Sequence, residues 1–335
     1  MFWLCLCVTI TVDLLLVLHS TGWYDNENDI LNSVVDSHGS GPIPRRVELP
    51  PRGKLRILCM VLTMASQLQR QSAVMNTWGK DCHRLIFVMG TNNPAHSQKV
   101  KREWKLGSNG SLTIFVSVPV EQSYRNLWRI TRLAFHYVHR YHLEEFDWLI
   151  KCDDDTFLLM EHLRLFVNQH DEDRAVYYGQ KLRDPWTGSL FNTGGAGYFM
   201  TRYVFKLLIK SLGSEQCRLY TSAPEDVQLS RCLKAVEVEA EDTADESHRI
   251  RMSQLGVETF DSNATIARKG MEYVSFIPGL NAETTVADWM QLYFPQDQHG
   301  HIARCCSPSF ISLHNVTADM MHTLHLLFHI VGHLE

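Results

Sequence analysis

Three short apolar and β-branched runs, Arg56 to Leu62, Leu85 to Met89 and Leu112 to Val118, lie between polar or glycine-containing segments. Unbroken apolar runs of this length predict strands buried on both faces, as in a parallel sheet. The intervening stretches Gln67 to Trp78 and Arg125 to Tyr141 read as helices, the second carrying Leu127, Ile130, Ala134 and Val138 at helical spacing. Strand and helix alternate, which predicts an α/β sheet with right-handed crossovers. A fourth apolar run, Trp148 to Ile150, leads into Asp153, Asp154 and Asp155. Beyond it the pattern predicts a helix over Leu158 to Asn168, a strand over Val176 to Gly179, and a glycine-rich loop from Thr193 that enters a strand at Tyr198. Further helices are expected over Tyr203 to Leu212, Glu225 to Leu233 and Met320 to Leu334, and the acidic stretch Glu237 to Glu246 reads as a solvated surface loop.

Ahead of this region the pattern changes. Residues 22–54 are rich in Asp, Asn, Ser, Gly and Pro with little periodicity and read as a flexible stem, so the folded part is expected over 55–335. Residues 1–21 contain an apolar run from Phe2 to Leu18, about the shortest length that spans a bilayer, interrupted by Asp13. The run reads as a signal-anchor or as a cleaved signal peptide, and either sends the rest into the secretory pathway. The 335 residues carry a net charge of −5 and no basic stripe, which excludes nucleic acid as a partner. Of nine cysteines, Cys5 and Cys7 belong to the leader. Cys59, Cys82, Cys217, Cys232, Cys305 and Cys306 are disulfide candidates, with fifteen connectivities open to six cysteines. Cys152, on a buried strand, is expected to stay unpaired. Sequons at Asn109, Asn263 and Asn315 fit the same compartment, Asn315 least well.

The aspartates carry the clearest chemistry. An acidic run is often a solvated turn, and Asp155 could cap the helix expected to follow. Directly after a buried strand, however, adjacent carboxylates repel with little water to screen them, and a divalent cation is the natural compensation. Asp153 and Asp155, two apart, can face one ion, while Asp154 turns toward a ribose or a neighbouring amide. His314 follows the strand-like Phe310 to Leu313 and can complete that shell. The glycine cluster Gly194, Gly195 and Gly197 reads either as a plain tight turn or as a wall that lets a sugar approach the backbone. Glu225 and Asp226 open a helix, where a carboxylate either complements the helix dipole or takes a proton from an acceptor hydroxyl. Of the 17 histidines, those at 322, 325, 329 and 333 share a helix face that reads as ordinary amphipathic surface.

These residues resemble a known family, the animal core 1 β1,3-galactosyltransferases. The resemblance rests on RILC from Arg56, TW at Thr77 and Trp78 followed by Cys82, and AFHYVHRYHLEEFDWLIKCDDDTF from Ala134 to Phe157. It continues through YYG from Tyr177, GGAGY from Gly194, PEDV from Pro224 with RC at Arg231, VEAED from Val238, ETF at 258–260 and CCS from Cys305. It implies a GT-A fold with a mostly parallel central sheet flanked by helices, in a type II Golgi membrane protein. It implies inverting transfer of galactose from UDP-galactose to the 3-hydroxyl of O-linked GalNAc on glycoproteins, with Mn²⁺ as cofactor. By position it makes Asp153, Asp155 and His314 the metal ligands and Asp226 the general base. Asp154 and Arg129 become donor-binding residues, and Glu225, Gly195, Trp289 and Tyr293 acceptor-binding ones, the aromatics stacking on a sugar face. Partners are then UDP-galactose, GalNAc-bearing glycoproteins, the membrane through residues 1–21, and a second copy of the chain if it forms a homodimer. Arg129 stands where the family has lysine, and Cys152 where it has alanine. The competing expectations are a catalytically silent relative acting as a lumenal chaperone, and a β1,3-transferase for other sugars.

Overall fold

A computed structural model describes residues 35–36, 55–92, 100–106, 112–170, 174–185, 187–217, 224–256, 285–296 and 304–331. The leader, nearly all of the stem, the sequons at Asn109 and Asn263, and His333 lie outside the described residues.

The strands in chain order begin with β1 (Val35–Asp36), β2 (Ile57–Leu62), β3 (Arg84–Thr91), β4 (Lys101–Leu106), β5 (Leu112–Glu121) and β6 (Trp148–Asp153). They continue with β7 (Phe157–Leu158), β8 (Val176–Gly179), β9 (Lys181–Arg183), β10 (Leu190–Asn192), β11 (Tyr198–Thr201), β12 (Glu239–Asp242), β13 (Met252–Ser253) and β14 (Ser312–Leu313). The helices are α1 (Leu68–Asn76), α2 (Leu127–His142), α3 (Met160–Asn168), α4 (Arg202–Ser211), α5 (Glu225–Lys234), α6 (Val286–Tyr293) and α7 (Ala318–Val331). Nine strands form one mixed sheet in the order β1-β4-β5-β3-β2-β6-β11-β8-β12. Its centre, β5-β3-β2-β6, is parallel, and β11 runs antiparallel to both β6 and β8. The expected α/β sheet flanked by helices is what forms, and the antiparallel β11 lets a tight glycine loop lie against the carboxyl end of β6.

Alternation along the central strands divides the core. Leu58 and Met60 of β2 point into one layer with Ile130, Phe135 and Val138 of α2 and Val204 and Leu208 of α4. Cys59 and Val61 point into the other, with Val74 of α1 and Leu163 and Phe166 of α3. Every residue of β2 is buried, as both faces of a covered parallel strand must be. A third cluster joins Leu182, Phe191, Val227, Trp289, Met290, Tyr293 and Phe294 beside the start of α5. Disulfides join Cys59 to Cys82, Cys217 to Cys232 and Cys305 to Cys306, and Cys152 is buried and unpaired.

Three expectations change. Glu237 to Glu246 is not a free loop: Glu239–Asp242 forms β12, paired in parallel with β8. An edge strand tolerates charge, and Val238 and Ala240 alternate with Glu239 and Glu241 in the period of two that a strand requires. The helix expected from Leu158 starts at Met160 with Leu159 as its N-cap, so Asp155 does not cap it. Finally, Val35 and Asp36 pair with Lys101 and Arg102 of β4, so the stem meets the sheet edge at one point. Among the described residues no helix is long and apolar enough to cross a membrane.

Candidate functional site

The acidic triplet ends β6 at the carboxyl edge of the parallel strands, where open α/β sheets bind ligands. The chain turns at once, Thr156 N donating to Asp153 O at 3.1 Å, and re-enters extended form as β7. Strand β7 pairs antiparallel with β14, Leu313 opposite Phe157, and Val316 N donates to Asp155 O at 2.9 Å. This short ladder brings His314 from far along the chain onto the triplet.

One carboxylate oxygen each from Asp153 and Asp155 and a ring nitrogen of His314 lie within 4.8 Å of one another. His314 Nε2 is 3.2 Å from Asp155 Oδ1 and 3.9 Å from Asp153 Oδ2. A cation bound at roughly 2.0 to 2.5 Å needs ligand atoms roughly 3 to 4.5 Å apart, which is this spacing. The tautomer supports the same reading. His314 Nδ1 lies 3.0 Å from the Gln254 carbonyl, which can only accept, so Nδ1 carries the proton. In the neutral ring Nε2 is then a bare lone pair aimed at two carboxylates, and that arrangement demands a proton or a metal ion between them. Burial disfavours the imidazolium, but Asp155 and Asp153 outweigh it and hold the His314 pKa above its ordinary value. The Asp155 carboxyl is likewise held low by His314 and Arg70 against the opposing effect of burial. Hard carboxylate oxygens with one imidazole fit a divalent cation.

The outer oxygens of both aspartates are engaged. Asp155 Oδ2 is 3.2 Å from Arg70 Nη1, and Asp153 Oδ1 is 3.1 Å from Lys151 Nζ. Asp154 points away from His314: its carboxylate accepts from Thr63 Oγ1 at 2.6 Å and Arg70 Nη1 at 3.1 Å, and it is 5% exposed. Burial pushes its pKa up to about 6. Both of its oxygens are thus spent on α1 and the β2 end rather than turned to a ribose. Arg129 is half-buried in the first turn of α2, the helix that follows β5.

The glycine loop is packed from behind. A Cβ on Gly195 would fall 2.6 Å from His314 Cε1 and from Gln254 Oε1, so this residue is the seat of the histidine as well as any sugar-facing wall. Gly197 has φ of +89°, which a side chain would resist. Thr156 Oγ1 donates to Gly195 O at 2.7 Å and Ser312 Oγ to Ala196 O at 2.6 Å, clamping the loop to the β7–β14 ladder.

Asp226 lies in the first turn of α5, half-buried, accepting from Gly194 N and Val227 N at 2.9 Å each. Burial and the neighbouring Glu225 push its pKa up to about 6. A carboxylate poised there can receive a proton near neutral pH. Glu225 is 7% exposed, with Tyr198 Oη donating at 2.7 Å to one oxygen and Lys151 Nζ 3.4 Å from the other. It therefore braces the site from inside, and an acceptor sugar would have to displace those partners. Trp289 and Tyr293 sit beside Val227 but are 4% and 6% exposed, stacked on each other at 5.3 Å. They are core residues of the third cluster here and present no open stacking wall.

Sequence reasoning missed Lys151 and Gln254. Lys151 was legible: it interrupts an apolar strand two residues before Asp153, which puts both on one face. Burial would lower its pKa, but Asp153, Glu225 and Asp226 overcome that and hold it above the ordinary lysine value. Gln254 holds His314 through its backbone carbonyl and the glycine loop through its side-chain oxygen, which accepts from Thr193 Oγ1 at 2.6 Å and Ala196 N at 2.9 Å, and it gave no signal. Of the histidine stripe, His325 meets Lys80 at 2.9 Å and joins no metal-holding cluster among the described residues. Asn315 has φ of +58° and its amide donates to the Gln254 carbonyl at 3.3 Å, which ties up the atom a glycan would need.

A mixed sheet that presents two aspartates and a histidine at one edge makes a candidate divalent-cation site, and the chain belongs to the Fringe-like family of glycosyltransferases, whose profile matches residues 60–284. It is similar to glycoprotein-N-acetylgalactosamine 3-beta-galactosyltransferase 1 of Xenopus laevis, 26% identical over 313 residues that cover 92% of this chain and 76% of that protein. Shorter matches reach human chondroitin sulfate synthase 3, 28% identical over 30% of this chain and 12% of that protein, and mouse beta-1,3-glucosyltransferase, 31% identical over 27% and 18%.

Proposed function

We propose that this protein transfers galactose from UDP-galactose, with inversion, to the 3-hydroxyl of O-linked GalNAc on glycoproteins, using Mn²⁺. The observation that carries the reading is the convergence of Asp153, Asp155 and His314 within 4.8 Å, with Asp226 joined to the same glycine loop. The similarity to the Xenopus enzyme over 92% of the chain supports the choice of sugars. Asp153, Asp155 and His314 would hold the cation, which when bound offsets the charge of a departing diphosphate. Asp226 takes the proton from the acceptor hydroxyl as the new bond to the anomeric carbon forms, and Gly194 N fixes that carboxylate. Arg129 and Asp154 belong to the donor side, Asp154 through its hold on Arg70. Trp289 and Tyr293 back the base through Val227 and reach an acceptor only if the third cluster opens. We further place the protein in the Golgi membrane as a single-pass type II protein, anchored by residues 1–21 with a stem over 22–54.

The test is turnover of UDP-galactose with a GalNAc-threonine peptide, with and without Mn²⁺, beside Asp155→Asn and Asp226→Asn. Product formed only with metal and by neither variant is the expected result. Metal-independent turnover, or none by the unaltered protein, would refute it. The similarity to a glucosyltransferase and a chondroitin synthase makes a different sugar pair the second reading, and a donor panel in the same assay separates the two.

A further inference from the structure

We propose that Lys151 is a positioning residue that turns one oxygen of Asp153 toward the cation site and keeps the base-bearing turn of α5 in register with it. The inference rests on the transferase reading for its purpose, though not for its geometry. Lys151 and Asp153 project from the same face of β6, two residues apart. Lys151 is 2% exposed, and its ammonium meets oxygens from three separate pieces of chain: Asp153 Oδ1 at 3.1 Å, Glu225 Oε2 at 3.4 Å and Gly194 O at 3.5 Å. Three donors on the ammonium match three acceptors.

The contact with Oδ1 decides which way Asp153 faces. The terminal torsion of an aspartate is broad, so an unrestrained carboxylate presents either oxygen, or neither, to a neighbour. With Oδ1 held by Lys151, Oδ2 is the oxygen left toward His314, 3.9 Å from Nε2. The remaining contacts carry the register to the base. Glu225 is fixed at its other oxygen by the buried Tyr198 hydroxyl at 2.7 Å, and Gly194 offers its carbonyl to Lys151 while its N–H holds Asp226. The fit leaves no room for slack: a Cβ on Gly194 would lie 3.1 Å from Nζ and 3.0 Å from Glu225 Oε2.

A lysine that merely neutralised Glu225 would make the same contacts, so the test separates the two roles. Mn²⁺ is titrated into the full chain without nucleotide, free Mn²⁺ is read by electron paramagnetic resonance, and folding is followed by thermal melts. Orienting contacts behind metal ligands are typically worth 10–100-fold in affinity, so Lys151→Met should weaken Mn²⁺ binding by about that factor. The double variant Lys151→Met with Glu225→Gln removes the buried charge pair together. It should fold and still bind weakly, while Glu225→Gln alone binds as the unaltered protein does. Restoration of Mn²⁺ affinity in the double variant would overturn the proposal and leave Lys151 a counter-charge. An unaltered protein that binds Mn²⁺ yet transfers no sugar would instead sink the transferase reading and leave this one standing.

Discussion

Asp226→Asn should do two things at once, remove transfer and take away the part of the pH dependence of stability that this carboxyl supplies. The carboxyl titrates near 3.8 in an unfolded chain and at about 6 in place, because burial and Glu225 disfavour its charge. Between those values the folded state binds the extra proton, so stability attributable to this group is fully present at low pH and is lost as pH rises through about 6. A shift of about 2 units corresponds to about 3 kcal/mol at about 1.36 kcal/mol per unit, an upper value for a half-buried side chain. Asparagine carries no charge, and escapes that loss. It also places an amide against either Gly194 N or Val227 N, each now 2.9 Å from an oxygen, which costs about 1 to 3 kcal/mol at every pH. The diagnostic is therefore the pH dependence and not the offset. Equilibrium urea unfolding with disulfides intact, run from pH 4 to pH 7.5, should show the variant gaining about 2 to 3 kcal/mol on the unaltered protein across that range. A difference that stays flat with pH would show that Asp226 carries an ordinary carboxyl, and the base assignment would lose its electrostatic ground.

The same pKa predicts an acidic limb in kcat/KM near pH 6, falling about tenfold per unit below it; a limb near pH 4 would contradict the burial argument. Gly195→Ala forces a Cβ to 2.6 Å from His314 and Gln254, so stability should fall by about 1 to 3 kcal/mol and Mn²⁺ affinity should fall with it, whereas unchanged metal titration would mean that the loop yields freely. Replacing Cys59 and Cys82 by alanine opens a loop of 23 residues and should cost about 3 kcal/mol in urea unfolding, and an unaltered midpoint would refute the bond. Asn315 should carry no glycan in a secretory host, as tested by peptide mass mapping after glycosidase treatment, because its side-chain nitrogen is bonded to the Gln254 carbonyl.

The central strands were legible because β2, β3 and β5 are apolar runs that are themselves mostly buried, and tertiary packing had no reason to override them. Strand β4 was not, since KREWKL puts charge where a strand pattern expects apolar residues; it forms because antiparallel pairing with β5 satisfies its backbone near the sheet edge. At the site, Asp153 and Asp155 were legible from the strand end and His314 from its place after a strand-like run. What brings them together, the two-residue β7 and β14, is too short to leave a periodic signature. The burial of Trp289 and Tyr293 was also hidden, because it depends on α6 folding onto β9 and Val227 rather than on any local pattern.

Because His314 of the candidate metal site sits at position 314 of 335, whereas the carboxylates emerge at 153 and 155, the chain leaves the ribosome with its acids long before it has the imidazole that joins them. On the proposed reading, cation capture is a late event in biosynthesis and acts as a readout that the far end has docked. A stop codon just ahead of Phe310 should yield a protein with all nine strands of its great sheet encoded and no grip on metal.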